Sequence, residues 1–244
     1  MTTIALLETQ ARALFRITPA GRIERENDPD CSAGPRLWLA GCKAGTTGRV
    51  RTDVAEGPAA ELAALFATEP PFVDPEGLPR HLDRYVALLG QGGAAPEPGF
   101  GLTWHLPHGL AGPAGIMLVG SDDDAGRQLA AGLAADGIPA PWVELGFRDV
   151  SDLWAPWCAV LQGGEIASLA FAARLSDDGA ELGLVTAPGF RGRGLGAAAT
   201  AGWSRLPSLA GRTLFYSTSR ANISSQRVVA RLGLDYVGAS LRLT

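Results

Sequence analysis

The chain has 244 residues, 46% of them hydrophobic and 19% charged, with a formal charge of −4. That length buries a sizeable core as one large domain or two modest ones, and the composition is that of a soluble globular protein. The acidic balance argues against bulk nucleic-acid binding, so no nucleic acid is expected as a partner. Three cysteines, Cys31, Cys42 and Cys158, are too few and too irregularly spaced for a disulfide framework or a metal cage, and they suit a reduced, cytoplasmic protein. No stretch approaches the roughly 20 apolar residues of a membrane span, and the first residues lack the basic region of a signal peptide. Neither a membrane nor secretion is expected.

Ile4 to Phe15 has the spacing of an amphipathic helix, capped by Thr2 or Thr3. Residues 21–30 are polar and read as a loop. Arg36 to Leu39 and Gly48 to Val54 read as a strand pair joined through a glycine-containing turn. Pro58 suits the first turn of a helix running to about Thr68, which Pro70 and Pro71 close. Leu78 to Leu89 is a further helix, stopped by Gly90. Residues 90–99 are rich in glycine and proline and read as a linker. They divide residues 1–95, an N-terminal module, from residues 100–244, with a boundary nearer 140 as the alternative. Beyond the linker, Gly115 to Val119 is a strand and Asp122 to Ala135 a helix closed by Gly137. Trp157 to Leu161 and Glu165 to Arg174 form a hairpin through Gln162-Gly163-Gly164. Ala180 to Thr186 is a buried strand.

The most informative stretch follows it: Ala187-Pro-Gly-Phe-Arg-Gly-Arg-Gly-Leu-Gly196, then an alanine-rich helix that stops at Pro207. Glycines at a helix entry let an anion approach the backbone. The free N–H groups and positive dipole end there bind phosphate oxygens. The surroundings carry matching charge. Residues 182–234 contain no Asp or Glu and seven arginines, so the formal charge divides into +7 here and −11 elsewhere. A basic region in an acidic protein points to a polyanionic ligand. Thr213 to Thr218 then reads as a strand, and Asn222 to Leu234 as a helix with Asn222 as N-cap and Gly233 at the exit. Tyr236 to Leu243 is the last strand.

Arg191-x-x-Gly194-x-Gly196 resembles the pyrophosphate-binding signature Gln/Arg-x-x-Gly-x-Gly/Ala of the GNAT superfamily of acyl-CoA-dependent N-acyltransferases. Asn222-x-x-Ser225 with Leu232-Gly233-Leu234 is similar to that family's second motif. The resemblance covers only the last part of the chain. It implies an α/β (α+β) fold: a mixed, mostly antiparallel central sheet flanked by helices, splayed open where the thioester lies. Here that fold would carry an additional N-terminal α/β module. It also implies acetyl-CoA as co-substrate and no metal. The phosphates would lie on Arg191, Gly192, Arg193, Gly194, Leu195, Gly196 and Ala197. The pantetheine would lie by Asn222 and Ser225, and the backbone of Leu184 and Val185 would bond the acyl and pantetheine groups.

The resemblance implies an acidic base on the strand before the glycine turn, which makes Glu181, the last acid before the basic window, the candidate. Tyr216 and Tyr236, nearby in sequence, and Ser225 offer hydroxyls, with Tyr216 the candidate catalytic residue. Many family members place a tyrosine seven residues after the asparagine, but this chain has Val229 there, so the acid is not fixed by the motif. The implied function is transfer of an acetyl group to a primary amine of a small molecule or peptide within a ternary complex. The alternative is a catalytically silent acyl-CoA sensor or scaffold. If residues 1 to about 140 wall the acceptor side, that wall is expected to be acidic and to attract a cationic amine. Two other readings are set aside. Gly192-x-Gly194-x-x-Ala197 fits a dinucleotide fingerprint, but no acid follows about 20 residues on. His105 and His108 lack a third ligand and helical spacing.

Overall fold

Twelve residues, Thr3–Leu14, coil into α1 and run directly into the short antiparallel pair β1 (Phe15–Ile17) and β2 (Ile23–Glu26). The computed structural model describes residues 3–91 and 93–244, so Thr2, one of the two cap candidates, lies outside the described residues. β3 (Leu37–Cys42) and β4 (Gly45–Val50) form a hairpin, followed by α2 (Glu56–Thr68), α3 (Leu82–Gly90) and β5 (Pro98–Leu106). Next come β6 (Met117–Gly120), α4 (Asp124–Asp136), the short α5 (Ala140–Val143), β7 (Trp157–Gln162), β8 (Glu165–Leu175) and β9 (Gly179–Thr186). The chain ends with α6 (Leu195–Trp203), β10 (Thr213–Ser219), α7 (Ile223–Leu232) and β11 (Asp235–Leu243).

Nine strands form one sheet in the order β4-β3-β11-β5-β10-β9-β8-β7-β6. Neighbours are antiparallel except β9 and β10, which run parallel, giving the mixed, mostly antiparallel α/β sheet expected. Side-chain alternation divides the core into two layers. On one face, Leu37, Leu39, Leu102, Ala180, Leu214 and Leu241 pack with α2, α3, α6 and α7. On the other face, Trp38, Ala40 and Cys42 pack under α1, and Ala159, Leu169 and Trp157 under α4 and α5. Every residue of α6 is buried, as suits a helix apolar on all sides. It lies so close to the sheet that a Cβ on Gly202 would sit 2.4 Å from Cys158 Sγ.

Three local readings change. The polar stretch 21–30 contains β2, which pairs with β1 and carries the buried Glu26. α3 starts at Leu82, later than the expected Leu78. The residues after the linker form β5, a central strand whose Phe100, Leu102, Trp104 and Leu106 alternate with period two. One sheet crosses the division expected at residues 95–100, because β5 enters between β11 and β10 while β3 pairs with β11. No described helix is long and apolar enough to cross a membrane.

Candidate active site

The parallel strands β9 and β10 pair only from Gly179 to Glu181 and from Thr213 to Phe215. Beyond that point each is held by its outer neighbour, β9 by β8 as far as Thr186 and β10 by β5 as far as Ser219. Two ladders pulling apart leave a wedge lined by backbone groups without a strand partner. Ala187 N donates to Ala167 O (3.0 Å), and the Val185 carbonyl accepts from Ser168 Oγ (3.1 Å), so both face β8. By alternation, the N–H and C=O of Leu184 and Thr186 face the wedge. The Leu184 backbone thus lines the β9 wall of the wedge. The Val185 backbone is engaged by β8, which corrects its expected role.

The glycine turn stands at the mouth of this wedge. Gly194 is the N-cap of α6 in the left-handed region (φ +78°), with no side chain capping the helix. The first backbone bond runs from Ala198 N to Gly194 O (3.3 Å), so the N–H groups of Leu195, Gly196 and Ala197 have no helical acceptor. Above them lies a cation that the motif did not name. Arg231 of α7 sits so near that a Cβ on Gly194 would fall 1.9 Å from its Nη1. Arg227 lies one turn earlier on the same side of α7. Arg191 Nε donates to the Thr186 carbonyl (3.2 Å), and Arg193 lies over the Phe190 ring, 5.4 Å from its centroid. Among the described residues, none of the seven arginines of the basic window forms an ion pair with a carboxylate. The helix start is an uncompensated positive site, and a phosphate-bearing ligand fits it.

On the other wall, Asn222 caps α7, its Oδ1 accepting from Ser225 N (3.0 Å). The Ser225 hydroxyl shares a hydrogen bond with that of Tyr216 (2.7 Å). Burial raises the Tyr216 pKa, against a smaller lowering by Ser225. Val229 is buried in the same layer and brings no hydroxyl.

Glu181 projects from the opposite face of the sheet, where it is 5% exposed. Ser217 Oγ donates to its Oε1 and Gln10 Nε2 to its Oε2 (3.2 Å). Gln10, on α1, also reaches Ser217 Oγ (2.9 Å) and Thr103 Oγ1 (3.1 Å). Desolvation raises the Glu181 pKa above the usual carboxylate range, with the Ser217 and Gln10 hydrogen bonds and the charge of Arg174 opposing it. Glu181 and Tyr216 are therefore not brought together: they lie on opposite faces of the sheet.

A cavity of about 360 Å³ opens beside Glu181 and touches both walls of the wedge, at Leu182 and Thr218. Its sheet side carries small residues, including Gly101, Ser217, Ser219 and Ser240, which leave the space open. N-terminal residues Gln10, Leu14 and Trp38 line it too. Its charged groups are Glu181, Arg174 and Arg242, so the lining is not the acidic wall expected from overall charge. His108 lies apart, its Nε2 in contact with the Arg212 carbonyl (2.8 Å).

No protein-family model matches the chain, and no curated protein matches it. Solved structures do. Its structural neighbours include GNAT-family acetyltransferases. A GCN5-related N-acetyltransferase from Kribbella flavida is 16% identical, with 99% of this chain and 93% of that one covered, at a TM-score of 0.46. A GNAT-family acetyltransferase from Colwellia psychrerythraea is 18% identical, over 81% of this chain and 76% of that one, at 0.43. A GCN5-related N-acetyltransferase-like protein from Streptococcus suis is 14% identical, over 86% and 84%, also at 0.43.

Proposed function

We propose that the chain is an N-acetyltransferase that moves an acetyl group from acetyl-CoA to a primary amine. The observation that carries this reading is the alignment of three features along one wedge. The uncapped, arginine-flanked start of α6 lies at its mouth, unpaired backbone along its β9 wall, and a buried carboxylate beside a cavity at its vertex. The diphosphate of acetyl-CoA lies on the N–H groups of Leu195, Gly196 and Ala197 among Arg191, Arg193 and Arg231. The pantetheine runs between Leu184 and the start of α7 at Asn222 and Ser225.

The amine enters from the cavity side. Its nitrogen bonds to the thioester carbonyl carbon as the carbon–sulfur bond breaks, and the products are an amide and CoA. Glu181 takes the proton from the amine, and its raised pKa suits it to exchange protons nearer neutrality than an exposed glutamate. The departing thiolate takes a proton from Tyr216 or from water, and Tyr216 regains its own from solvent. The test is acetyl-CoA binding by titration calorimetry, with NAD(P) as competitor, followed by thiol release across a panel of amines. Binding of NAD(P) and not CoA overturns the reading. CoA binding with no turnover, and a Glu181→Gln variant indistinguishable from wild type, would instead favour a silent acyl-CoA sensor, the reading that buried Val229 supports.

A further inference from the structure

The cavity beside Glu181 carries a charge pattern that selects its occupant. Arg174 on β8 and Arg242 on β11 reach toward each other across the α1 face of the sheet and both bind the buried carboxylate of Glu26. Arg174 is also 3.6 Å from Asp28 and donates from Nη1 to the Ala173 carbonyl (2.7 Å), so its donors are largely engaged. Arg242 is different. It uses Nη2 for Glu26 while its Nε and Nη1 have no acceptor among the described residues, and its side chain is 36% exposed. The cavity thus has a proton-accepting group at Glu181 and a guanidinium with free donors, in a volume that suits a small metabolite.

Each class of amine meets this lining differently. A polyamine would bring a second ammonium against two guanidiniums and gain nothing from them. A peptide's terminal amine carries no free carboxylate beside it to meet Arg242. A simple alkylamine makes no contact with the free donors of Arg242 and gains nothing from them. A molecule carrying both an amine and a carboxylate satisfies both ends, because a free guanidinium N–H binds a carboxylate oxygen in a charge-assisted hydrogen bond.

We propose, on the acetyl-transfer reading above, that the acceptor is a free amino acid, its amine toward Glu181 and its carboxylate toward Arg242. Arg242 is then the residue that determines acceptor specificity.

The experiment uses the full chain and acetyl-CoA and measures thiol release with each amino acid, its amide and its decarboxylated amine. At least one amino acid is expected to exceed both its amide and its amine in kcat/KM, by roughly 10- to 150-fold for one charge-assisted contact. Arg242→Gln should collapse that preference ratio, and Arg242→Lys should restore part of it, which separates loss of recognition from loss of folding. If amides or decarboxylated amines are acetylated as well as the amino acids, the proposal is overturned while acetyl transfer stands. Acetyl-CoA binding without turnover of any amino acid overturns it as well. If acetyl-CoA itself does not bind, the underlying reading fails first.

Discussion

Gly194→Ala separates backbone strain from ligand recognition at the mouth of the wedge. Gly194 has φ +78°, and an L-residue in that region costs about 1 to 2 kcal/mol. For a chain of this size each 1 kcal/mol lowers Tm by roughly 2–4 °C. The new Cβ would also fall 1.9 Å from Arg231 Nη1, so the guanidinium must swing away from the start of α6. Losing one charge-assisted contact of about 1.5–3 kcal/mol weakens acetyl-CoA binding roughly 10- to 150-fold. Gly211→Ala supplies the control. Gly211 has φ +80°, a Cβ there would meet nothing within 4 Å, and it lies in the turn before β10. It should lose comparable thermal stability and no affinity. Arg231→Ala should lose the affinity without the strain, and the Gly194→Ala, Arg231→Ala pair should lose little more than either alone. Thermal melts and titration calorimetry read both quantities. If Gly194→Ala binds acetyl-CoA as Gly211→Ala does, or if the two affinity losses add in full, Arg231 does not serve the ligand and its assignment to the phosphate site is refuted.

Three further outcomes are expected. Because the Glu181 pKa is raised, its ionisation opposes folding: its contribution to stability is full below the unfolded carboxylate pKa and lost as pH rises through the folded value. Glu181→Gln should therefore gain Tm relative to wild type as pH rises, while losing the acidic limb of kcat/KM that a Glu181 base produces; a pH profile unchanged by the substitution refutes that role. A chain beginning at Gly99 loses β3, one of the two strand partners of β11, and the α1 helix that supplies Gln10, so it should show no cooperative melt; a cooperative melt would make residues 100–244 an independent folding unit. Cys158 is buried with its thiol pushed up to about 12, Cys42 is buried, and Cys31 is exposed, so a thiol reagent should titrate one cysteine per native chain; two or more would contradict the packing of α6 on β7 or of α1 on β3.

Local rules made part of this protein legible from its residues. Asn222 caps α7 and Gly233 ends it in the left-handed region, and Gly194 opens α6, because capping and positive φ depend on a few adjacent residues. The absence of acids from residues 182–234 left the arginines at the mouth without carboxylate partners. The period-two pattern of β5 was also present in the sequence, but the glycines and prolines before it masked a central strand as the end of a linker. Tertiary structure alone decided the rest of the site. It placed β5 between β10 and β11, brought Gln10 to Glu181 across 171 residues, and joined Glu26 to Arg174 and Arg242 across 148 and 216. Such contacts follow from which strands share a sheet and which face a helix covers. Local spacing constrains neither, because a residue's partner across a sheet is set by register and burial and not by its neighbours along the chain.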